Sequence, residues 1–143
     1  MEKGIFDGLK VLDCASFIAA PAAATVLSDF GADVIKIEPP GSGDPYRNLP
    51  NLPGYPVSPH NYAWMLESRN KKSLALDLGK PEGQAVLRRL AGSADVFITN
   101  FPPAVRGRLV LTFQVGLPEG VWRERRTAGT TRPIPASGAI RRR

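Results

Sequence analysis

The chain has 143 residues, of which 43% are hydrophobic, a size and composition that suit one domain with an apolar core. Its formal net charge of +6 is uneven: residues 1–109 hold 12 basic and 11 acidic residues, whereas residues 110–143 hold seven arginines and two glutamates. The basic character therefore belongs to a tail, which argues against a nucleic-acid-binding surface on the domain itself.

The single cysteine, Cys14, excludes an internal disulfide and suits a reducing cytosol. It lies in an apolar run, where a buried inert thiol is favoured over a reactive one. Asp13 before this run and Pro21 within it argue against a signal peptide, and no segment is long and apolar enough to span a bilayer. We expect a soluble, cytoplasmic protein.

Residues 8–40 predict a strand, a helix and a second strand. Leu9–Asp13 is a short apolar run typical of a buried strand. Pro21 suits the first helical turn, and Gly31 suits a left-handed cap at the helix end. Asp33–Glu38 then returns as a strand. Because a helix joins them, the two strands are expected to be parallel with a right-handed crossover.

Strand and helix alternate further along the chain, which predicts an α/β fold with a mainly parallel, doubly wound sheet. Residues 39–60 contain seven prolines and are expected to form a long loop without regular structure. The further predicted elements are a helix at Asn61–Ser68, a strand at Ser73–Leu78, a helix at Pro81–Leu90 and a strand at Asp95–Phe101. The predicted buried positions are Ala22, Ala23, Val26, Leu27 and Phe30 in the first helix (with Ser28 and Asp29 outward), Tyr62, Met65 and Leu66 or Trp64 in the second, and Val86, Leu87 and Leu90 in the third.

Ligands of such sheets bind beyond the carboxyl ends of the strands. The GSGD segment at 41–44 lacks the spacing of a phosphate loop or dinucleotide fingerprint, so a plain turn is the simpler interpretation. His60 is the only histidine, which gives little support to a metal site or a catalytic triad. Asn100 at a strand end could either contact a ligand or form a turn. The basic SRNKKS segment at 68–73 could be a solvated edge or a phosphate contact.

Several blocks together resemble the N-terminal part of class III CoA-transferases, the CaiB–BaiF group. They are DGLKVLD (7–13), LSDFGADVIKIEPPGSGDPYR (27–47), SRNKKSLALDL (68–78), PEG (81–83) and ADVFITNFPPAVRGRL (94–109). This group includes formyl-CoA transferase, carnitine CoA-transferases and α-methylacyl-CoA racemase. The resemblance implies a Rossmann-like domain that binds coenzyme A or acyl-CoA without a metal, in an interlocked homodimer. It also implies transfer of CoA between carboxylic acids through an acyl-aspartyl intermediate.

The resemblance places particular residues at the CoA site. Ala19 would lie near the pantetheine and Leu76 near the adenine, while Asn100, Phe101 and Arg108 would line the site, with Arg108 suited to a phosphate. Lys71 and Lys72 fall in the basic motif of the family. The chain departs from the family pattern at Pro39, Ile18, Thr99 and Ala104, and Ile18 replaces the glutamine of formyl-CoA transferase.

The catalytic aspartate of the family would follow the matching region, but the last aspartate here is Asp95. We therefore predict a partial CoA-binding domain at 1–109 and an Arg-rich tail at 110–143, either disordered or read out of frame. The leading hypothesis is a truncated CoA-transferase that is inactive alone. The alternatives are a non-catalytic CoA-binding or dimerisation module, a racemase-like fragment, and a domain whose tail binds nucleic acid.

Overall fold

The computed structural model describes residues 4–51, 53, 54, 56 and 58–108, and all of them belong to one compact unit. The elements are β1 (Lys10–Asp13), α1 (Ala19–Asp29), β2 (Asp33–Glu38), a 3₁₀-helix (Pro45–Asn51), α2 (Tyr62–Ser68), β3 (Lys72–Ala75), α3 (Pro81–Ala91), β4 (Val96–Ile98) and α4 (Pro103–Arg108). The four strands are parallel, in the order β3-β2-β1-β4. The predicted α/β class is confirmed, whereas the predicted tail at 110–143 lies outside the described residues.

The two faces of the sheet each carry part of the core, because successive strand residues point to opposite sides. Leu12 and Ile37 pack with Leu87 of α3 on one face, while Val11 and Val34 pack toward α1 on the other. No helix in the described part of the chain has the length and apolar character needed to cross a membrane.

Cys14 belongs to the α3 side of this core and is 1% exposed. Burial and, to a lesser extent, the neighbouring Asp13 carboxylate raise the pKa of its thiol to about 12, against a smaller opposing effect of the Lys36 charge. The thiol is therefore protonated at neutral pH. This favours the interpretation of an inert, buried cysteine.

The buried face of α1 differs from the prediction. Its buried residues are Pro21, Ala24, Thr25 and Ser28, whereas Val26 and Phe30 are half exposed. Thr25 Oγ1 donates to the carbonyl oxygens of Pro21 and Glu67, and Ser28 Oγ donates to Thr25 O at 2.7 Å. Because these hydroxyls are hydrogen-bonded, small polar residues can be buried at close contact, and the larger apolar side chains face outward.

Other expectations also need correction. The Pro-rich loop contains the 3₁₀-helix, and α4, which begins at the second proline of the Pro102-Pro103 pair, was not predicted. The helix α2 buries none of its residues, and Tyr62, Met65 and Leu66 are all exposed. Val86 is also exposed, at 38%. The 3₁₀-helix, α2 and α4 have only seven, seven and six residues, which is too few for the sequence pattern to define an apolar face.

Gly83 in the first turn of α3 packs directly on the chain that leaves β3. A Cβ at this position would overlap the carbonyl oxygen of Asp77. We expect Gly83→Ala to lower the free energy of unfolding by about 1–3 kcal/mol. Gly92→Ala is the matched control, since the nearest atoms to its Cβ would be carbonyl oxygens at 3.6 Å and its φ is −65°. Urea unfolding compares the two, and equal losses would contradict the close contact at Gly83.

Candidate active site at the carboxyl edge of the sheet

The carboxyl ends of the parallel strands lie together at one edge, where α/β sheets bind their ligands. The loop from Cys14 to Ile18 leaves β1 at this edge and leads into α1. It is tied to the end of β4, because Cys14 N–H donates to Ile98 O at 2.8 Å. Asn100 makes a reciprocal pair with Ser16: its Oδ1 accepts from Ser16 N–H at 3.0 Å, and its Nδ2 donates to Ser16 O at 2.7 Å.

A buried ionic network lies directly beneath this loop. Lys36 Nζ lies 3.0 Å from Asp44 Oδ2 and 3.7 Å from Asp13 Oδ2, and Lys71 Nζ lies 2.9 Å from Asp13 Oδ2. All four side chains are at most 2% exposed. Two carboxylates thus meet two ammonium groups, so the network is formally neutral. Such pairing is required because an isolated buried charge is very costly.

Lys71 is fully occupied within the network. Besides Asp13, its ammonium donates to Pro21 O at 2.7 Å and Glu67 O at 2.9 Å, which uses all three donors. Burial lowers the pKa of Lys71, and the hydrogen bond and charge of Asp13 offset this in part. The structure thus shows a lysine that links the end of β1 to α1 and α2.

A second charged cluster surrounds Glu38 at the end of β2. Its carboxylate accepts Arg47 Nε at 2.7 Å and Arg47 Nη2 at 2.8 Å, together with Ser73 Oγ and the backbone N–H of Asp44. Burial alone raises the pKa of Glu38, but the hydrogen bonds outweigh it, so the pKa is lowered to about 2. The guanidinium of Arg47 also lies 3.9 Å from the centre of the Trp64 ring.

The loop between β1 and α1 presents an open surface above these clusters. Phe17 and Ile18 are about half exposed, and Phe17 has a φ of 65°, which is uncommon for a residue other than glycine. Ile18 precedes α1 and provides no side-chain cap, so the first helical turn has no side-chain acceptor there. An exposed apolar rim beside the N–H groups of Ala19 and Ala20, which have no acceptor in the described part of the chain, suits a ligand with apolar and polar parts.

The structure brings four of the sequence-predicted site residues to this edge. Ala19 is exposed at the start of α1, and Leu76 directly follows β3, where its N–H donates to Glu38 O at 2.9 Å. Asn100 is exposed, whereas Phe101 and Leu76 pack partly against the α3 side of the core. Their assignment to CoA binding stays a prediction.

The three predicted basic residues are placed differently. Lys71 is buried in the ionic network. The side chain of Lys72 is 70% exposed and pairs at 2.7 Å with Asp33, which begins β2 and lies toward the opposite edge. Arg108 ends α4, and its side chain lies outside the described part of the chain. Lys71 and Lys72 therefore do not both lie at the carboxyl edge with an ammonium group available to a ligand.

Sequence reasoning missed the network of Asp13, Lys36 and Asp44. Its signal is a charged residue at a central position of an apolar strand, as in DVIKIE, where Lys36 lies opposite Asp13 in the sheet register. His60 is exposed, and the described ranges hold no cluster of three potential metal ligands. No metal centre can be built from the residues that the structure describes.

The parallel four-stranded sheet with helices on both faces defines a Rossmann-like α/β domain. The model of CoA-transferase family III matches residues 6–115, which is most of the chain. The chain belongs to CoA-transferase family III. The resemblance to the CaiB–BaiF group is thereby confirmed.

Individual relatives agree with this membership. The chain is 42% identical over 102 residues to succinyl-CoA–D-citramalate CoA-transferase of Chloroflexus aurantiacus, a match that covers 68% of this chain and 23% of that protein. It is 41% identical over 108 residues to formyl-CoA:oxalate CoA-transferase of Rhodopseudomonas palustris, covering 76% and 25%. A crystal structure of a CAIB/BAIF family protein from Brucella suis superposes with a TM-score of 0.68 at 33% identity, covering 78% of this chain and 30% of that one. The chain thus spans about a quarter of the length of the curated relatives it matches.

Proposed function

We propose that this chain is the CoA-binding part of an enzyme that transfers CoA between carboxylic acids, with the CoA thioester bound across the carboxyl edge of the sheet. One observation carries the proposal: residues from three strand ends, Ala19, Leu76 and Asn100, lie at this edge in a chain of CoA-transferase family III. Curated relatives of the chain are CoA-transferases.

The chemistry of the edge supports a ligand with distinct apolar and anionic parts. The exposed side chains of Phe17 and Ile18 offer an apolar surface to a pantetheine arm. The N–H groups of Ala19 and Ala20, for which the described residues provide no acceptor, favour negative charge, because the helix dipole is positive at that end. Asn100 is exposed near this turn, and its amide has a second N–H for which no acceptor is found among the residues that the structure describes.

The carboxylate that would accept the acyl group is proposed to lie outside the described residues. Asp13, Glu38 and Asp44 lie near the edge, but each is buried and paired with a cation. Asp77 is exposed, but its Oδ1 accepts the N–H of Gly79 in the turn before α3. A nucleophilic carboxylate needs an accessible oxygen. We therefore propose that the described residues bind a CoA thioester and do not themselves supply the acyl acceptor.

The test introduces a carboxylate at the proposed CoA site. Ala19→Glu adds negative charge at an exposed position of the edge, and we expect CoA to bind at least tenfold more weakly by calorimetry. Ala23→Glu is the matched control, since Ala23 is exposed on the same helix one turn further from the edge. Glutamate in the first helical turn interacts favourably with the helix dipole, so Ala19→Glu is not expected to unfold the chain. Equal affinity of both variants would place CoA elsewhere, and no binding by the unmodified chain would overturn the proposal.

The interlocked homodimer implied by the resemblance is a further part of the proposal. Val26 of α1, Phe30 directly after it, and Met65 and Leu66 of α2 are each more than half exposed, and the two helices contact each other. Apolar side chains gathered on adjoining helices favour burial against more protein. Light scattering at several concentrations would show dimers, and a monomer at every concentration would contradict this part.

A further inference from the structure

We propose that Lys36 and Asp44 are positioning residues, which hold the β1–α1 loop in the geometry that binds the CoA thioester. The inference rests on the proposed function and assigns the ionic network a role in it. Neither side chain reaches the surface, since both are 2% exposed. They would therefore act through the backbone of the loop and not by contact with the ligand.

Both residues bond the backbone of the loop directly. Lys36 Nζ donates to Ala15 O at 2.8 Å, and Asp44 Oδ1 accepts the N–H of Phe17 at 3.3 Å. Asp44 Oδ1 also accepts the N–H of Tyr46 at 2.9 Å, which fixes Asp44 on its own segment. The 3.0 Å ion pair between Lys36 and Asp44 joins these anchors. The ion pair thus holds the backbone of the loop at Ala15 and at Phe17.

The held conformation is one that the loop would not readily keep by itself. Phe17 has a φ of 65°, in the left-handed region that L-residues avoid unless surrounding contacts enforce it. The carboxylate oxygen Asp44 Oδ1 accepts the backbone N–H of this same residue. In this conformation the side chain of Phe17 is 51% exposed instead of packing into the core. The surrounding contacts hold Phe17 in an unfavourable backbone conformation that exposes its apolar side chain. Such an arrangement indicates a role in binding.

The network is also poorly arranged for stability alone. Asp13 Oδ1 is buried without a hydrogen-bond partner among the described residues, and Asp44 Oδ2 makes an ion pair but no well-aligned hydrogen bond. Buried ion pairs with unsatisfied oxygens contribute little net stability compared with apolar packing. The arrangement is better explained by the loop geometry that it fixes.

The chain that carries Asp44 is shaped for this contact. After β2 it turns back with Gly41 and Gly43 at φ values of 77° and 66°, and Gly43 N–H donates to Pro39 O at 3.1 Å. This turn brings Asp44 over the end of β1. The β2 loop and the β1 loop are consequently coupled through one carboxylate.

The experiment uses the full chain with a charge-balanced double variant, Lys36→Met/Asp44→Asn, which removes one cation and one anion together. The matched control is Lys72→Met/Asp33→Asn, which makes the same changes at an exposed ion pair. Amide hydrogen exchange by NMR and calorimetric titration with CoA are measured for both. We expect the first variant to exchange the Phe17 amide at least tenfold faster, to leave the Val34 amide of the central sheet unchanged, and to bind CoA at least tenfold more weakly.

The outcomes separate the two proposals. If the unmodified chain does not bind CoA, the proposed function fails. If it binds CoA and the folded double variant binds equally well, only the positioning role is overturned. Exchange that accelerates at Phe17 and Val34 alike would also overturn it, because that result indicates general destabilisation. Should the double variant not fold, Asp44→Ser, which leaves Lys36 beside Asp13, decides by the same two measurements.

Discussion

Replacing Lys71 with methionine is expected to lower the free energy of unfolding by about 3–5 kcal/mol, because it leaves a buried carboxylate without its cation. The Asp13 side chain is fully buried and would keep only the more distant Lys36 at 3.7 Å. Folded domains of this size are stable by about 5–15 kcal/mol, so the loss would be a large share of the total. Urea unfolding followed by circular dichroism gives the value directly.

The adjacent lysine provides the control. Lys72→Met makes the same change in an exposed ion pair, whose side chains are 70% and 48% exposed. We expect it to cost less than about 1 kcal/mol, since solvent screens such pairs. Adding Asp13→Asn to Lys71→Met should recover part of the loss by restoring charge balance. Similar losses for the two single variants would contradict the burial of the Lys71 ion pair.

Acid is expected to destabilise the fold through Glu38. Its pKa of about 2 in the folded state lies below the ordinary glutamate value of 4.5, so the folded state binds the proton more weakly than the unfolded state. The stabilisation is therefore complete above pH 4.5 and is lost as the pH falls toward 2. We expect a contribution of about 2 kcal/mol, below the full linkage value because the partner Arg47 is 39% exposed.

Unfolding measured at several pH values tests this expectation. Glu38→Gln should lower stability at pH 7 and flatten the dependence between pH 4.5 and 2. Ser73→Ala removes one of the hydrogen bonds to Glu38 and should move the acid transition to higher pH without abolishing it. An unchanged pH dependence in Glu38→Gln would show that other groups govern acid unfolding.

The fold followed from the sequence wherever hydrophobic pattern and local backbone chemistry agreed. The strand Asp33–Glu38 has the predicted bounds, and Gly31 has the expected positive φ, at 104°. Pro81 opens α3 as predicted. These features depend on a few neighbouring residues, so a single sequence is enough to predict them.

The site was less predictable because its contacts join residues far apart in the chain. Asp13 and Lys71 are 58 positions apart, and their pairing depends on how β1, α1 and α2 pack. A lysine in a polar segment, such as Lys71, is predicted to be exposed to solvent. Only the folded structure shows that its ammonium group is buried. Likewise, the buried face of α1 depends on the hydrogen bond from Thr25 Oγ1 to Glu67 O in α2. The sequence around Thr25 cannot predict this contact with another helix.

CoA binding at the carboxyl edge is tested directly by an NMR titration of the ¹⁵N-labelled chain with CoA. A CoA-binding carboxyl edge predicts amide shifts that saturate with CoA and cluster at Phe17, Ala19, Leu76 and Asn100. Amides at the opposite edge, such as those of Lys10 and Asp95, should keep their shifts. There, Lys10 N–H donates to Asp95 Oδ2 and Asp95 N–H donates to Lys10 O. Saturable shifts confined to the opposite edge, or no shifts at millimolar CoA, would contradict CoA binding at the carboxyl edge.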